Sequence, residues 1–359
     1  MLYFIIYIIL YPLLKLISFF RGNPEGNLII QSAKIGDYVN TSILLPPLGK
    51  SDLIIRRING AFAEFDPNVD KIFFYEDVKK NKISTILNIY FRNYKNVVVV
   101  LPNSYNLFLA KLSFAPSINT INHYAVKWYE KLLMIGMRKI DHTIDDLTLS
   151  TYLKLIDETD VAKHWKSIPT ITPENNSLEL ITNQKKFKVG ISLTAGNKLK
   201  TIDPNTWEEI FKILSKYDLE FYIFGLESEQ KYLNDVKPFI EESKTHSLLG
   251  QIPLKHLSYF ISKMNLYISS DTGNSYIADS LRVPTINFAG PCYINEQKPI
   301  YEKSLIINSN HPEAPFTYIF KTVIKKHLQP ELFKINNKQK DEIDNFIAQL
   351  INEKIGEIR

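Results

Sequence analysis

Three polar turns carry the side chains able to do chemistry. The first, Asp271-Thr272-Gly273-Asn274-Ser275, sits between the apolar runs LYISS and YIADSL, so a strand leads in and a helix leads out. In that setting the amides of Thr272, Gly273 and Asn274 point from a helix N-terminus, where unpaired N–H groups and the helix dipole attract an anion, and Gly273 removes a side chain that would hold it off. The same five residues also serve as a plain helix cap built on Asp271. The second turn, LTAGNKLKTIDPNTW (193–207), ends a strand at Thr194, Ala195 and Gly196 and places Lys198 and Lys200 before Pro204 opens a helix. Two ammonium groups there would neutralise a diphosphate without a metal, or they are solvated loop lysines. The third, SAKIGDYVNT (32–41), sets Gly36 at a bend and Asp37 at a helix start. Asp37 is placed to accept a proton from a hydroxyl nucleophile, although a helix N-terminus favours its ionised form and makes it a weak base; it can equally be a cap.

The chain contains no D-x-D pair, no H-E-x-x-H and one cysteine, Cys292. No metal site or disulfide framework is visible, and no cofactor is expected. The formal charge of +5 is spread among acidic residues, which argues against a nucleic-acid partner.

At 359 residues and 45% hydrophobic content the chain has material for two cores. β-branched runs alternate with longer amphipathic stretches, the pattern of α/β architecture with parallel sheets. In the first half NLIIQSA (27–33), KIFFYE (71–76) and NVVVVLPNS (96–104) read as strands. KIGD reads as a turn, and YVNTSILLPPL as a short helix ended by its proline pair. The polar stretch 169–186 reads as a linker. A second series follows with strands in FKVGISLTAG, LEFYIFG and NLYISS. The expected organisation is a membrane-associated segment (1–22), a Rossmann-like domain (23–168), the linker, a second Rossmann-like domain (187–335) and a C-terminal helix (336–359) packing back across the domain boundary. Two doubly wound halves bind ligands at the carboxyl ends of their sheets, in a cleft that gathers the polar turns.

The N-terminal MLYFIIYIILYPLLKLISFFRG stands apart. It approaches the roughly 20 residues that cross a bilayer. Pro12 and Lys15 interrupt it, and Tyr3, Tyr7 and Tyr11 favour an interface, so it spans the membrane or lies in the headgroup region; the lesser alternatives are a cleaved signal peptide, for which a basic n-region and an A-x-A-like site are lacking, and a buried core helix. Lys15 and Arg21 follow the apolar run, which by the positive-inside rule leaves the body of the protein at the cytoplasmic face of a bacterial inner membrane.

Taken together, the IGD of the first turn, the lysine-bearing loop of the second and GQIPLKHLSYFISKMNLYISSDTGNSYIADSLRVPTINFAGP (250–291) resemble glycosyltransferase family 9, the ADP-heptose:lipopolysaccharide heptosyltransferases. The resemblance spans residues 27 to 295. It implies a GT-B fold with the acceptor on the N-terminal domain and the nucleotide sugar on the C-terminal one, and inverting, metal-independent transfer. By the same resemblance Asp37 is the catalytic base, Lys200 or Lys198 holds the donor diphosphate, and Thr272 and Gly273 grip phosphate through their backbone. Asp271 reaches the donor sugar, and Glu229 holds the ribose. The implied partners are a nucleotide diphosphate sugar such as ADP-heptose, a lipid-linked saccharide acceptor of the lipopolysaccharide core, and a membrane. The chain departs from the family at Tyr276, where His is usual, at Asn40 to Ile43, where His-Thr-x-Pro is usual, and at Ile202 to Pro204, where Trp-Pro is usual. The competing expectations are a nucleotide-sugar epimerase or hydrolase of the same fold and a catalytically silent membrane-tethered binding protein.

Overall fold

A computed structural model describes residues 1–174, 186–323, 325, 327 and 330–358; most of the expected linker lies outside the described residues. The chain forms two compact units, residues 1–169 with Asn295–Gln297, and residues 170–294 with 298–359.

The first unit opens with helix α1 (Leu2–Ser18). Strand and helix then alternate through β1 (Asn27–Gln31), α2 (Ile35–Thr41), α3 (Leu45–Leu48), β2 (Ser51–Ile55), α4 (Arg57–Ala63), β3 (Val69–Phe74), α5 (Tyr75–Lys80) and α6 (Lys82–Phe91). The series continues with β4 (Asn96–Val99), α7 (Ser104–Leu112), β5 (Ser117–His123), α8 (Trp128–Leu133), β6 (Arg138–His142) and α9 (Thr148–Lys154). The six strands are all parallel, in the order β3-β2-β1-β4-β5-β6. Helices cover both faces of such a sheet, so central strands need apolar residues on both sides, and every residue of β2 is buried.

The second unit repeats this plan with β7 (Phe187–Ile191), α10 (Pro204–Leu214), β8 (Leu219–Ile223), α11 (Gln230–Val236), β9 (Thr245–Ser247) and α12 (Leu257–Ile261). It is completed by β10 (Leu266–Ser270), α13 (Gly273–Ser280), β11 (Thr285–Gly290), β12 (Ser304–Asn308) and α14 (Asn337–Ile358). Its sheet order, β12-β11-β10-β7-β8-β9, is that of the first sheet read from the other edge, again all parallel. In each unit the crossovers from the first strand run one way and then return to its other side. The topological switch falls between β1 and β4 and between β7 and β10.

Local chemistry explains the element ends. Asp203 Oδ1 accepts from the amides of Asn205 and Thr206, both at 3.1 Å, and Pro204 takes the first helical position of α10. Trp207, Ile210, Phe211 and Leu214 then face β7, β8 and β10 in one core.

Several expectations are corrected. Helix α2 starts at Ile35, so Gly36 and Asp37 belong to its first turn, and none of Gly36, Gly196 and Gly273 is among the glycines with positive φ. The proline pair does not end the helical stretch: Pro46 and Pro47 open the extra turn α3, where a missing N–H costs nothing, and Gly49, with φ +69°, ends it. Helix α14 packs within the second unit through Ile343, Ile347 and Leu350, with Asp344 held by Lys216 (2.6 Å) and Tyr217 (2.7 Å). Among the described residues no helix is long and apolar enough to cross a membrane. The spanning alternative for α1 fails on packing: Tyr3, Phe4, Ile6, Tyr7, Leu10, Leu14 and Ile17 lie against the first unit's core, and Tyr90 Oη donates to the Leu14 carbonyl at 2.5 Å.

One glycine is required by close packing. Gly190 of β7 lies opposite Tyr267 of β10, and a Cβ there would fall 2.6 Å from the Tyr267 ring and 2.9 Å from Met264 Cγ. Gly190→Ala is therefore expected to destabilise the protein by about 1–3 kcal/mol, the usual cost of overpacking, read as a lowered urea midpoint with unchanged m.

Candidate functional site

In the second unit the chain delivers its polar residues to the carboxyl ends of the two strands that flank the switch. Strand β10 ends at Ser270, and Asp271 and Thr272 lead directly into α13. Strand β7 ends at Ile191, followed by the buried Ser192 and Thr194 and then a 3-10 turn over Lys198–Lys200. Asn197 Oδ1 accepts from Leu199 N at 3.1 Å and starts that turn, and Leu199 is buried beneath it.

This turn separates the two lysines. Lys200 Nζ reaches Asp271 Oδ2 at 2.5 Å, with the side chains only 23% and 14% exposed, whereas Lys198 lies on the exposed side of the turn. Asp271 accepts further bonds from the Tyr276 hydroxyl, one turn into α13, and from Cys292 Sγ at 3.3 Å. Tyr276 thus supplies a phenol donor to the same carboxylate that Lys200 holds.

Asn274 donates to Ser192 Oγ at 3.0 Å, and Ser192 shares a 2.7 Å hydrogen bond with Tyr267, tying the first turn of α13 to the end of β7. Ser275 Oγ donates to the Thr272 carbonyl at 2.7 Å, while Thr272 Oγ1 is buried without a hydrogen-bond partner among the described residues. Glu229 follows β8 at the start of α11, its carboxylate folded back so closely that any Cβ at Gly225 would collide with Oε2. Its charge is felt by Tyr267. Thr194, Lys200, Glu229, Asp271, Thr272, Gly273 and Asn274 therefore all lie beyond the carboxyl ends of β7, β8 and β10. Sequence reasoning missed Ser192, Tyr267 and Cys292 as supports. Cys292 directly follows the FAGP run, which is the one available signal for it.

In the first unit Asp37 occupies the matching place, in the helix that follows β1 beside the switch to β4. Its backbone carbonyl accepts from Thr41 Oγ1 at 2.8 Å. Tyr152 of α9 is buried beside it. Burial and then the charge of Asp37 raise the phenol well above its ordinary range, with a bond to Thr41 opposing and Glu296 adding to the rise, so Tyr152 is neutral. Glu296, from the short segment that joins this unit, is fully buried and receives Tyr124 Oη at 2.9 Å and His142 Nε2 at 3.1 Å. His142 Nδ1 meets Thr151 Oγ1 at 2.7 Å. Asn40, one turn beyond Asp37, is fully buried with neither amide atom hydrogen-bonded to the described residues. Among the described residues no group of three or more His, Cys, Asp or Glu could hold a metal ion.

A sequence profile of glycosyltransferase family 9 (heptosyltransferase) matches residues 122–324, more than half of the chain. The chain belongs to this family. The fold agrees. It is similar to E. coli ADP-heptose lipopolysaccharide heptosyltransferase II, with a TM-score of 0.67 and 14% identity over 92% of this chain and 99% of that one. It is similar to a family 9 glycosyl transferase from Veillonella parvula, with a TM-score of 0.69 and 15% identity over 92% and 98%. It is also similar to an E. coli heptosyltransferase solved with ADP-2-deoxy-2-fluoro heptose, with a TM-score of 0.60 and 15% identity over 91% and 99%. No curated protein matches the chain by sequence. As a glycosyltransferase of family 9 the protein carries, within the matched stretch, every residue of the second-unit site. Asp37 lies before it.

The electrostatics of this family member centre on one pair. Burial on its own would raise Asp271, but the charge and hydrogen bond of Lys200, with the donors of Tyr276 and Cys292, outweigh it and hold the carboxyl below its ordinary 3.8. Burial on its own would lower Lys200, and the charge of Asp271 outweighs it, so the ammonium stays protonated well above its ordinary 10.5. Burial pushes the Cys292 thiol up, and the neighbouring Asp271 carboxylate pushes it further, so it remains a neutral donor.

The pair's pH signature follows from those directions. Asp271 contributes stability above pH 3.8 that is lost as pH falls through its lower folded value. Lys200 contributes stability below pH 10.5 that is lost as pH rises through its higher one. Lys200→Met strands a carboxylate and is expected to cost about 3 kcal/mol at pH 7, while adding Asp271→Leu restores most of it. Denaturant titrations at pH 3, 7 and 11 check this. The single variant should lose least at pH 3, where the stranded carboxylate can be protonated, and should still lose stability at pH 11, where Lys200 of the unmodified chain remains charged.

Proposed function

We propose that the protein transfers a heptose from ADP-heptose to a hydroxyl of a lipopolysaccharide or other lipid-linked core saccharide, with inversion at the anomeric carbon and without a metal ion. The observation that carries this reading is the Lys200–Asp271 pair set against the amide end of α13 at the switch of the second sheet, within the stretch that matches the family. An ammonium carries three N–H donors, and the bond to Asp271 uses one. A second meets the Cys292 sulfur, and the third faces a diphosphate together with the amides of Thr272, Gly273 and Asn274 and the unpartnered Thr272 hydroxyl. Asp271 keeps Lys200 charged and in place and is itself available to a hydroxyl of the donor sugar. Glu229, beyond β8, suits the ribose hydroxyls.

In the reaction the acceptor oxygen attacks the anomeric carbon on the face opposite the diphosphate. The bond from that carbon to the diphosphate oxygen breaks, and ADP leaves with the electron pair. The acceptor proton passes to Asp37. Charge grows on the departing diphosphate, so Lys200 and the α13 amides stabilise the transition state more than the ground state. Asp37, ionised at a helix start, accepts its proton late. A lipid-linked acceptor is supported by the apolar N-terminus and places the reaction at the cytoplasmic face of a bacterial inner membrane.

Asp37→Asn is expected to lower kcat by about 10² to 10⁴ while donor affinity stays within about twofold. ADP at a hundredfold excess over Kd should add ~2.7 kcal/mol of stability, which Lys200→Met removes. Transfer should continue undiminished in EDTA, with inverted product by NMR. An Asp37→Asn enzyme of normal turnover, or transfer abolished by chelation, overturns the proposal.

A further inference from the structure

The chemistry above leaves unexplained a broad apolar face on the first unit. Helix α1 has two stripes. Tyr3, Ile6, Tyr7, Leu10, Leu14 and Ile17 pack inward, and Leu2, Ile5, Ile9, Leu13 and Leu16, continued by Phe20 just beyond the helix, recur every three or four residues on the outside. Ile9 is 70% exposed and Phe20 86%. The outer stripe does not stand alone. Helix α1 packs on α7 and α8, and α6 packs on α7. Helix α6 exposes a stripe of its own, Ile83, Leu87 and Phe91, spaced by four. Phe91 and Phe20 line the same hollow, so the two stripes join. Ile135, just after α8, is 60% exposed on the same unit. Isolated exposed apolar residues are ordinary, but a patch that joins the stripes of two helices marks a surface with a partner.

The charges say which partner. Helices α1, α6, α7 and α8 contain one carboxylate among them, Glu130, and it is buried, accepting from Ser104 N at 3.1 Å and Lys127 N at 3.0 Å. At the end of α1 a groove of about 470 Å³ is lined by Lys15, Arg21 and Lys111, with Tyr7 and Tyr11, and by no acidic residue. Arg21 stacks its guanidinium 4.3 Å from the Tyr90 ring and donates through one nitrogen to the Ser113 carbonyl at 3.0 Å. Its Nε and second terminal nitrogen are buried and have no hydrogen-bond partner among the described residues. Lys111 Nζ lies 5.4 Å from the centre of the Tyr7 ring, and its burial lowers it from its ordinary value. Lys111 also donates to the Ile135 carbonyl, and with no carboxylate lining the groove its cations are open to an anion from outside.

We propose that this face is a seat on an anionic phospholipid bilayer. The outer stripe of α1, with that of α6, lies in the membrane plane among the acyl chains, and the groove of Lys15, Arg21 and Lys111 takes a lipid headgroup phosphate. A helix lying in the plane needs no spanning length, only an apolar face bordered by cations, and α1 meets that requirement with 17 residues. The seat is independent of the donor chemistry, because it uses no residue of either switch-point site.

The test is co-sedimentation of the full chain with vesicles, without donor or acceptor. Vesicles of phosphatidylcholine with phosphatidylglycerol should bind the protein, pure phosphatidylcholine vesicles should bind it far more weakly, and raised salt should weaken the binding. Ile9→Asp combined with Leu16→Asp should lower affinity about tenfold or more with unchanged circular dichroism, since both side chains point away from the core. Lys15→Glu should act in the same direction on anionic vesicles only. Inorganic phosphate at millimolar concentration should not displace the protein, which separates a bilayer from a free anion. Failure of the unmodified chain to bind anionic vesicles overturns the proposal. So does a concentration-dependent dimer that the paired aspartates dissolve, since the face would then be covered by a second copy. Transfer to a soluble acceptor fragment should be unaltered in the Ile9→Asp, Leu16→Asp chain, so a loss of seating and a failure of the catalytic reading are distinguishable.

Discussion

A parallel sheet whose crossovers leave its first strand in one direction and return on the other side cannot close over the carboxyl ends of its two central strands. A crevice is left there, bounded by the loop after one strand and the helix after the other. Both units obey this constraint, between β1 and β4 and between β7 and β10. Every candidate residue sits where it does because of it. In the second unit the loop after β7 brings a lysine, and the turn after β10 brings an aspartate and the amide end of a helix. The bond between Lys200 and Asp271 then fixes the two sides of the crevice to each other. A charged pair this enclosed contributes little net stability, since desolvation opposes the attraction. Its value is positional: it keeps an ammonium charged and stationary in a place from which solvent is largely excluded.

The surroundings of Asp271 show how a family pattern survives a change of residue. By the resemblance read from the sequence, His is expected where this chain has Tyr276. A phenol cannot share a positive charge, but it donates a hydrogen bond to the carboxylate from the same turn of α13, and the neutral Cys292 thiol donates another. Tyr276 and Cys292 therefore support the Lys200–Asp271 pair without adding a charge of their own.

Much of this was legible in the residues, and the gaps have physical reasons. The Asp203-Pro204 start of α10 could be read because the cap is local. Strand β2 escaped notice because Asp52 interrupts its apolar run; in the fold that carboxylate is buried and met by Arg92 at 2.8 Å and Tyr94 at 2.6 Å, partners some forty residues away. Lys198 and Lys200 could not be told apart, because the difference lies in a single 3-10 turn pinned by the burial of Leu199. The support behind Asp37 was invisible for the same reason of distance, as Tyr152 and Glu296 come from elements far along the chain. The apolar N-terminus was read correctly as unusual, but only packing could show that half of it is committed to the protein core.

Glu296 gives the molecule a particular order of assembly. His142, Tyr124 and Thr148 all lean on this one residue, the last through the Glu296 carbonyl at 2.5 Å, yet it is joined to them only after some 150 further residues have been made. During synthesis the first unit leaves the ribosome before the partner that Glu296 gives to His142 Nε2 and to the Tyr124 and Thr148 hydroxyls has been made. Its folding is finished only when most of the second has emerged. The two halves, though built on one repeated plan, do not simply follow one another along the chain: the first is completed by the short segment Asn295–Gln297, which interrupts the second.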